Sequence, residues 1–553
     1  MKDVPIGTDD FRKIRENDGY YVDKTRLIEE ILSRRNTEAF LFTRPRRFGK
    51  SLNMSMLDAF FNIEYKGNRW FDGLYISGCP DATAMANESP VVSMTLKDLG
   101  TSDYSTFLGD LRESMREVCS RYRFLLRWET DSNAKDAFIR LYNGSDDPSE
   151  LKASLKTMTR ALEEYHGRPA IVLIDEYDSP VNSSFGRKSQ KDILEFMRGF
   201  MSNALKSNRS LRFGVVTGVM QVTKESIFSG LNNLDVNSVF TAGFDEGFGF
   251  TEPEVQEMLS YYGHPEKMEE VRDWYDGYRF GNAEIYSPWS IVKYVSSGFR
   301  AETYWLDEGN PEMIAESVSC NGADGLRTVT DLYNGIQVRS KINRGMTIAD
   351  VSTPDGLLSL LVSSGYAKAI PADDEEWEAE IVNKEVRKGL LEQLVRRTWT
   401  LSKLSRISKA ILERDPESLR KELSDSLDRL TDSRGRVNEA CYQSFVLGLL
   451  DCLKDTHYVR PEAGGGTGYA DIVIVPRDGR GPSAVLELKF KKPGTKDEAM
   501  RAEASGAIFQ IRDRRYFADL FGEVILYGLA FRQTDVFVSC DRILCRPAPC
   551  PTV

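Results

Sequence analysis

A Gly-Lys-Ser triplet, residues 49–51, stands where an apolar run of strand length gives way to a helical pattern. That order narrows the possible folds more than any other feature of the chain. Residues 38–43 (EAFLFT) read as a short buried strand, and residues from Ser51 to about Phe61 as a helix, with RPRRFGKS (44–51) as the turn between them. The first N–H groups of such a helix lack intrahelical partners and carry the positive end of its dipole, so they suit an anion. At this spacing Lys50 is placed to reach the β- and γ-phosphates of a nucleoside triphosphate, and Ser51 to hold Mg²⁺. The pattern GxxxxGK[ST] puts Arg44 where its first glycine belongs. A bare GKS is also an ordinary surface turn; the strand and helix around it make it specific.

Residues 169–175 (PAIVLID) are apolar almost throughout, as in a parallel strand covered on both faces. They deliver Asp175 at the C-terminal end, where an acid supports Mg²⁺, and Glu176 follows, where a carboxylate polarises the attacking water. Residues 90–96 and 211–217 read as further strands, with helical patterns at 103–125 and 188–207. The alternation predicts a parallel α/β sheet. Thr217, ending the fourth strand, is a candidate γ-phosphate sensor, with a plain strand-ending turn as the other reading. Between Thr217 and Gly249 the only basic residue is Lys224, so no arginine finger is placed there. The predicted ATP–Mg²⁺ site is Arg44, Pro45, Arg46, Arg47, Phe48, Gly49, Lys50, Ser51, Asp175 and Thr217, with Glu176 catalytic and Ser51 and Asp175 on the metal. The three arginines are expected to contact phosphates or a partner subunit.

Past residue 300 the pattern changes. Residues 354–370 read as a helix and a strand, 373–380 as an acidic exposed tip, and 381–387 as a second strand and turn, together a small winged-helix unit. The charged, periodic stretch 388–430 is expected to be helical. A second α/β pattern begins near 437, with a helix at 438–454, strands at 457–461, 470–475 and 484–489, a helix near 497–511 and a strand near 523–531. Asp471 starts one of these strands, and Glu487-Leu488-Lys489 lies on the next after fifteen intervening residues. Residues i and i+2 of a strand share a face. Glu487 and Lys489 therefore project together, and Asp471 can converge with Glu487 on one Mg²⁺, a cation that takes oxygen ligands and activates water. Glu439, on the preceding helix, is a further candidate metal ligand. Lys489, Lys491, Lys492 and Lys496 could meet a phosphate backbone. An ExK pair alone is also the ordinary cross-face ion pair of an edge strand.

A chain of 553 residues predicts two to four domains. The expected division is 1–300, 301–390, 391–436 and 437–553. A net charge of -11 argues against a protein that coats nucleic acid by bulk charge, though not against a local basic groove. No apolar run has the length of a membrane span, and the N-terminal MKDVPIGTDDFRKIREN lacks the apolar core of a secretory signal. The eight cysteines form no CxxC pair and the three histidines lie far apart, so neither a zinc site nor a disulfide framework is predicted. A cytoplasmic location is expected.

The stretches YYVDKT (20–25), RPRRFGKSL (44–52), LIDEYDSPV (173–181), IFSGLNNL (227–234) and WYDGYRF (274–280) resemble the AAA-ATPase-like family of prokaryotic P-loop proteins. GYAKAI…IVNKEVR (365–387) and ADIVIV…AVLELKF (470–490) extend the resemblance over nearly the whole chain. The RPRRFGKS form, with arginine at the first glycine position, is characteristic of that family, which implies ATP binding despite the departure. The resemblance also implies an AAA+ or archaeal-ATPase-like core, a winged helix after it, and a fused PD-(D/E)XK nuclease-like domain with Asp471, Glu487 and Lys489 as its D…ExK core. It implies a polar role for Gln510, a site position for Tyr516, and an approach of Tyr20, Tyr21 and Asp23 to the adenine end. The glycine run before Asp471 (GGGTGYAD) lacks the basic residue expected beside that acid. Two readings stay open: an ATP-controlled nuclease acting on nucleic acid, DNA foremost, in defence or mobile-element biology, or a signalling ATPase switch, changing its oligomeric state, with a degenerate nucleic-acid-binding module.

Overall fold

The structure, a computed structural model, describes the chain except residues 221–226, 229–230, 306–313, 315–316, 319, 334, 346–349, 351–352, 374, 391–400, 428–438, 451–452, 454–455 and 547–553. Side chains at 322–324, 326–327, 330, 401–405, 439–441, 444 and 462 are also outside the description. The predicted basic position Lys224 and part of the predicted helical stretch 388–430 fall among these residues. The chain forms two compact units, one of residues 1–313 and 339–386, the other of 314–338 and 387–553. The stretch 301–390 is thus shared between the units rather than standing apart.

The first unit is built on a parallel sheet of β1 (Ala39–Thr43), β2 (Val91–Thr95), β3 (Ala170–Asp175), β4 (Leu211–Gly218) and β5 (Leu234–Asn237), in the order β2-β3-β4-β1-β5. Every residue of β1 and β3 is buried. Helices cover both faces of such a sheet, which is why these strands read as continuous apolar runs. Register sets Phe42 beside Thr217 and Ile174 beside Val216, so β1, β4 and β3 end close together. Helices Tyr104–Arg121 and Gln190–Leu205 fall near their predicted bounds. β5 has no counterpart in the sequence reading: only four residues long and mostly half-buried, it carries little periodicity.

β6 (Tyr278–Phe280) and β7 (Ala283–Ile285) form a hairpin. A three-stranded sheet follows, β8 (Val338–Ser340), β9 (Ala367–Pro371) and β10 (Trp377–Ile381), in the order β8-β10-β9, with helix Pro354–Ser363 preceding β9. Helix, strand, tip and strand occur in the predicted order, but the second strand lies earlier than 381–387, and 384–390 is helical. The acidic tip is short because the Ala372 N–H closes on the Glu376 carbonyl at 2.9 Å. Ala379 and Ile381 then alternate inward against partly exposed Glu378 and Glu380, the period of a half-buried strand.

The second unit holds helices Leu401–Leu412, Pro416–Leu427 and Glu439–Leu449 and a mixed sheet. Its strands are β11 (His457–Gly465), β12 (Gly468–Pro476), β13 (Ser483–Phe490), β14 (Glu523–Arg532) and β15 (Asp535–Leu544), in sequential order. All neighbours are antiparallel except β13 and β14, which run parallel. A parallel pair needs a crossover, supplied here by helix Asp497–Arg514. β15, with its irregular DVFVSCDRIL, is a strand the sequence reading did not contain. The crossover helix lies so close to β14 that a Cβ on Gly528 would sit 1.9 Å from the Ala504 carbonyl oxygen. Gly528→Ala is therefore expected to cost about 1–3 kcal/mol through forced displacement of packed backbone. A urea midpoint equal to the parent's would show that the helix yields freely.

Among the described residues no helix is long and apolar enough to cross a membrane.

Candidate functional site

In the first unit, the turn from β1 into helix Lys50–Phe61 borders a cavity of about 440 Å³. Gly49 caps the helix in the left-handed region, φ 77°, where a side chain would be strained. Arg46, Arg47, Phe48, Gly49, Lys50, Ser51 and Glu176 line the cavity. Lys50 Nζ donates to the carbonyls of Arg44 (3.0 Å) and Pro45 (2.8 Å). Burial lowers the Lys50 pKa; the negative charges of Asp175, Glu176 and Asp178 oppose that shift.

Ser51 Oγ donates to Asp175 Oδ2 at 2.5 Å, and Thr217 Oγ1 donates to Asp175 Oδ1. The strand order explains this convergence. β4 runs between β1 and β3, so Thr217, next to last on β4, bridges toward the acid ending β3. Glu176 takes a left-handed backbone, φ 52°, and burial raises its pKa, with Asp175 adding to the effect. Strained backbone at a strand end is often found at functional sites. Asp178, in the same LIDEYD run, does different work: fully buried, it accepts from the N–H groups of Val219 (3.1 Å) and Met220 (2.9 Å) and so ties down the chain after β4.

Arg44 corrects an expectation. Its guanidinium faces away from the cavity, fully buried, donating to the carbonyls of Thr43 (2.9 Å), Asn237 (2.8 Å) and Phe244 (3.2 Å). It lies between the rings of Phe248 and Phe280, 5.2 and 5.1 Å from their centroids. Burial pushes its pKa down to about 9. Residue 44 leaves β1 inside the core, so its side chain holds the loop from behind. Pro45, also buried, contributes its carbonyl to Lys50. Phe48 is buried against Tyr278 and Phe280, while Arg47 stacks over Trp289 at 4.3 Å. Tyr20 and Tyr21 line the cavity. Asp23 instead accepts from the N–H groups of Thr25 and Tyr75 and is not at the cavity wall. The sequence reading missed Lys97 and Trp289 on that wall. Lys97 had a usable signal: it follows β2, and ligands of parallel sheets bind beyond the strands' C-terminal ends. Trp289 had none.

In the second unit, Asp471 on β12 and Glu487 on β13 come level, one step beyond the pair Ile472–Leu486. Asp471 Oδ2 accepts the Leu488 N–H at 2.7 Å. Glu487 is 4% exposed; its Oε1 accepts from Lys489 Nζ at 2.9 Å and from Gln510 Nε2. Lys489 also donates to Gln510 Oε1 at 2.7 Å, and Gln510 Nε2 reaches the Tyr516 hydroxyl at 3.1 Å. Burial raises the Glu487 pKa, and the hydrogen bond from Lys489 opposes the rise. Glu487 Oε2 is buried without a hydrogen-bond partner. A buried, unpaired carboxylate oxygen is costly, and a hard cation would satisfy it. The Glu439 side chain lies outside the described residues. Among the described residues no three His, Cys, Asp or Glu gather as a metal cluster, so the donors in view are Asp471 and Glu487. Of the basic run, Lys489 is committed to this network and Lys491 pairs with Glu503 at 2.6 Å, while Lys492 and Lys496 are exposed.

Residues 5–228 match the family model described as predicted AAA-ATPase, and residues 437–539 match that of the PD-(D/E)XK nuclease superfamily. The chain carries an AAA-ATPase-like domain and a PD-(D/E)XK nuclease superfamily domain. Its first unit provides the parallel sheet and its second the mixed sheet consistent with those domains. A relative from Azotobacter chroococcum mcd 1, "Uncharacterized protein in vnfD 5'region", is 27% identical over 369 residues. The alignment covers 66% of this chain and 64% of that protein, so this chain spans less than two thirds of its relative.

Proposed function

We propose that the AAA-ATPase-like domain binds and hydrolyses ATP with Mg²⁺, and that the nuclease-superfamily domain cleaves nucleic acid, DNA foremost, with a divalent metal. The convergence of Ser51 and Thr217 on Asp175 beneath the Gly49 turn supports the first half. In this reading Lys50 leaves the loop carbonyls for the β- and γ-phosphates, and the first N–H groups of its helix take the remaining phosphate charge. Arg46 and Arg47 approach the same charge from the exposed side of the loop. Ser51 and Asp175 hold the ion, which neutralises charge on the transferred phosphoryl group. Glu176, with its raised affinity for protons, takes the proton of the attacking water.

The unpaired Glu487 oxygen beside Asp471 supports the second half. Asp471 and Glu487 hold the ion, with Glu439 as the further candidate ligand. Lys489, aimed by Gln510, orients the attacking water and offsets charge on the phosphate. The test measures ATP binding and turnover in the parent and in Lys50→Ala, then cleavage of plasmid, single-stranded DNA and RNA with Mg²⁺ or Mn²⁺, with and without ATP. Lys50→Ala is expected to lose ATP affinity and turnover, and Glu487→Ala to lose cleavage. Equal cleavage by parent and Glu487→Ala would sink the nuclease half and leave the ATP-driven switch.

A further inference from the structure

The phosphate loop of the first unit is gripped from outside by residues that neither motif contains. Trp305 is fully buried, and its indole N–H donates to the Arg46 carbonyl at 2.9 Å. The N–H groups of Tyr304 and Trp305 both donate to Glu385 Oε1, at 2.5 and 2.7 Å. Glu385 Oε2 accepts from Ser290 Oγ at 2.8 Å. Glu385 is itself fully buried, and among the described residues no ion pair is recorded for it. Burial pushes its carboxyl up to about 7. A buried carboxylate without a cation is expensive, and here three hydrogen bonds offset the cost. A second contact is steric: a Cβ on Gly365 would sit 2.9 Å from Pro45 Cβ. The Trp305 ring also packs on Tyr366, centroids 5.1 Å apart.

Peptide planarity turns this grip into control of the loop. The Arg46 carbonyl and the Arg47 N–H belong to one rigid plane and point in opposite directions. Fixing that carbonyl on Trp305 therefore aims the following N–H. The chain leaves the first unit after Met313 and again after Val386. Trp305 lies shortly before the first passage, and Glu385 adjoins the second.

We propose that Trp305 and Glu385 are positioning residues of the phosphate loop, and that they couple its occupancy to the two chain passages leading into the nuclease-bearing unit. The proposal rests on the ATP-binding reading above. Coupling of this kind needs a contact that differs between the empty and the occupied loop, and in this proposal that contact is the hydrogen bond from Trp305 to Arg46.

The experiment uses the full chain, a fluorescent ATP analogue with Mg²⁺, and hydrogen exchange in helices Leu401–Leu412 and Pro416–Leu427. In the parent, bound nucleotide is expected to change exchange in those helices. Trp305→Phe keeps a ring but removes the donor. It is expected to weaken nucleotide binding about tenfold and to abolish the exchange response. Glu385→Ala should act likewise, and Glu385→Gln, which keeps an acceptor for both N–H groups, should restore both readouts. If Glu385→Ala fails to fold, Trp305→Phe decides. Parental affinity and exchange response in Trp305→Phe would overturn the proposal. So would a parent that binds nucleotide without any exchange response. A parent that binds no ATP would overturn the ATP reading and this proposal together.

Discussion

Arg44→Gly, which gives the loop between β1 and Lys50 the common GxxxxGKS spelling, is expected to destabilise the first unit by about 3–5 kcal/mol. The guanidinium fills a space between Phe248 and Phe280 and serves the carbonyls of Thr43, Asn237 and Phe244. Glycine would leave a cavity of side-chain size and strand those acceptors in a region water does not reach. Asn237 ends β5, so the loss would also loosen the edge of the sheet beside β1. Calorimetry of the full chain can follow the first unit's transition. Arg46→Gly is the control: Arg46 is exposed, and its removal should leave that transition within about 0.5 kcal/mol of the parent. An Arg44→Gly variant as stable as the parent would show that the buried guanidinium is dispensable.

Asp175→Asn is expected to lower ATP turnover by about 10²–10³-fold while the fold survives, because the replacement is nearly isosteric and the effect falls on charge. Asp175 accepts from Ser51 and Thr217, and it helps to balance the buried Lys50 ammonium. An amide can keep one of those hydroxyl contacts, but it supplies no negative charge to Mg²⁺ or to Lys50. Turnover measured across a Mg²⁺ series reads the effect directly, and parental turnover in Asp175→Asn would remove this acid from the proposed chemistry. Asp178→Ala separates the roles within one short run. Its carboxylate holds the N–H groups of Val219 and Met220, so its loss should appear first as lower stability.

Most of the first unit's sheet could be read from the sequence because β1 and β3 are buried throughout and β2 and β4 over most of their length. Burial on both faces leaves a short unbroken apolar run, and its length and flanking turn residues favour a strand over a buried helix segment. Lys50, Ser51, Asp175 and Thr217 could be singled out as candidates because each sits at the end of such a run or in the turn and helix start just beyond it. β5 and β15 escaped because one is very short and the other irregular in its alternation. The acidic tip was drawn too long for a related reason. Glu378 and Glu380 look like loop in a linear sequence, yet they form the exposed face of β10.

By itself the sequence determined most of the strand and helix order, the turn that joins β1 to the helix beginning at Lys50, the acid that ends β3, and the placing of Asp471 and Glu487 on neighbouring strands. These depend on local periodicity and on short spacings along one or two strands. Which way Arg44 points could be decided only by the tertiary structure. Its partners, Asn237, Phe244, Phe248 and Phe280, lie about two hundred residues away along the chain, and only packing brings them together. The same holds for Trp305 on Arg46 and for Glu385 beneath Trp305. A buried polar side chain is placed by the donors and acceptors that fold around it, and local sequence carries no record of those.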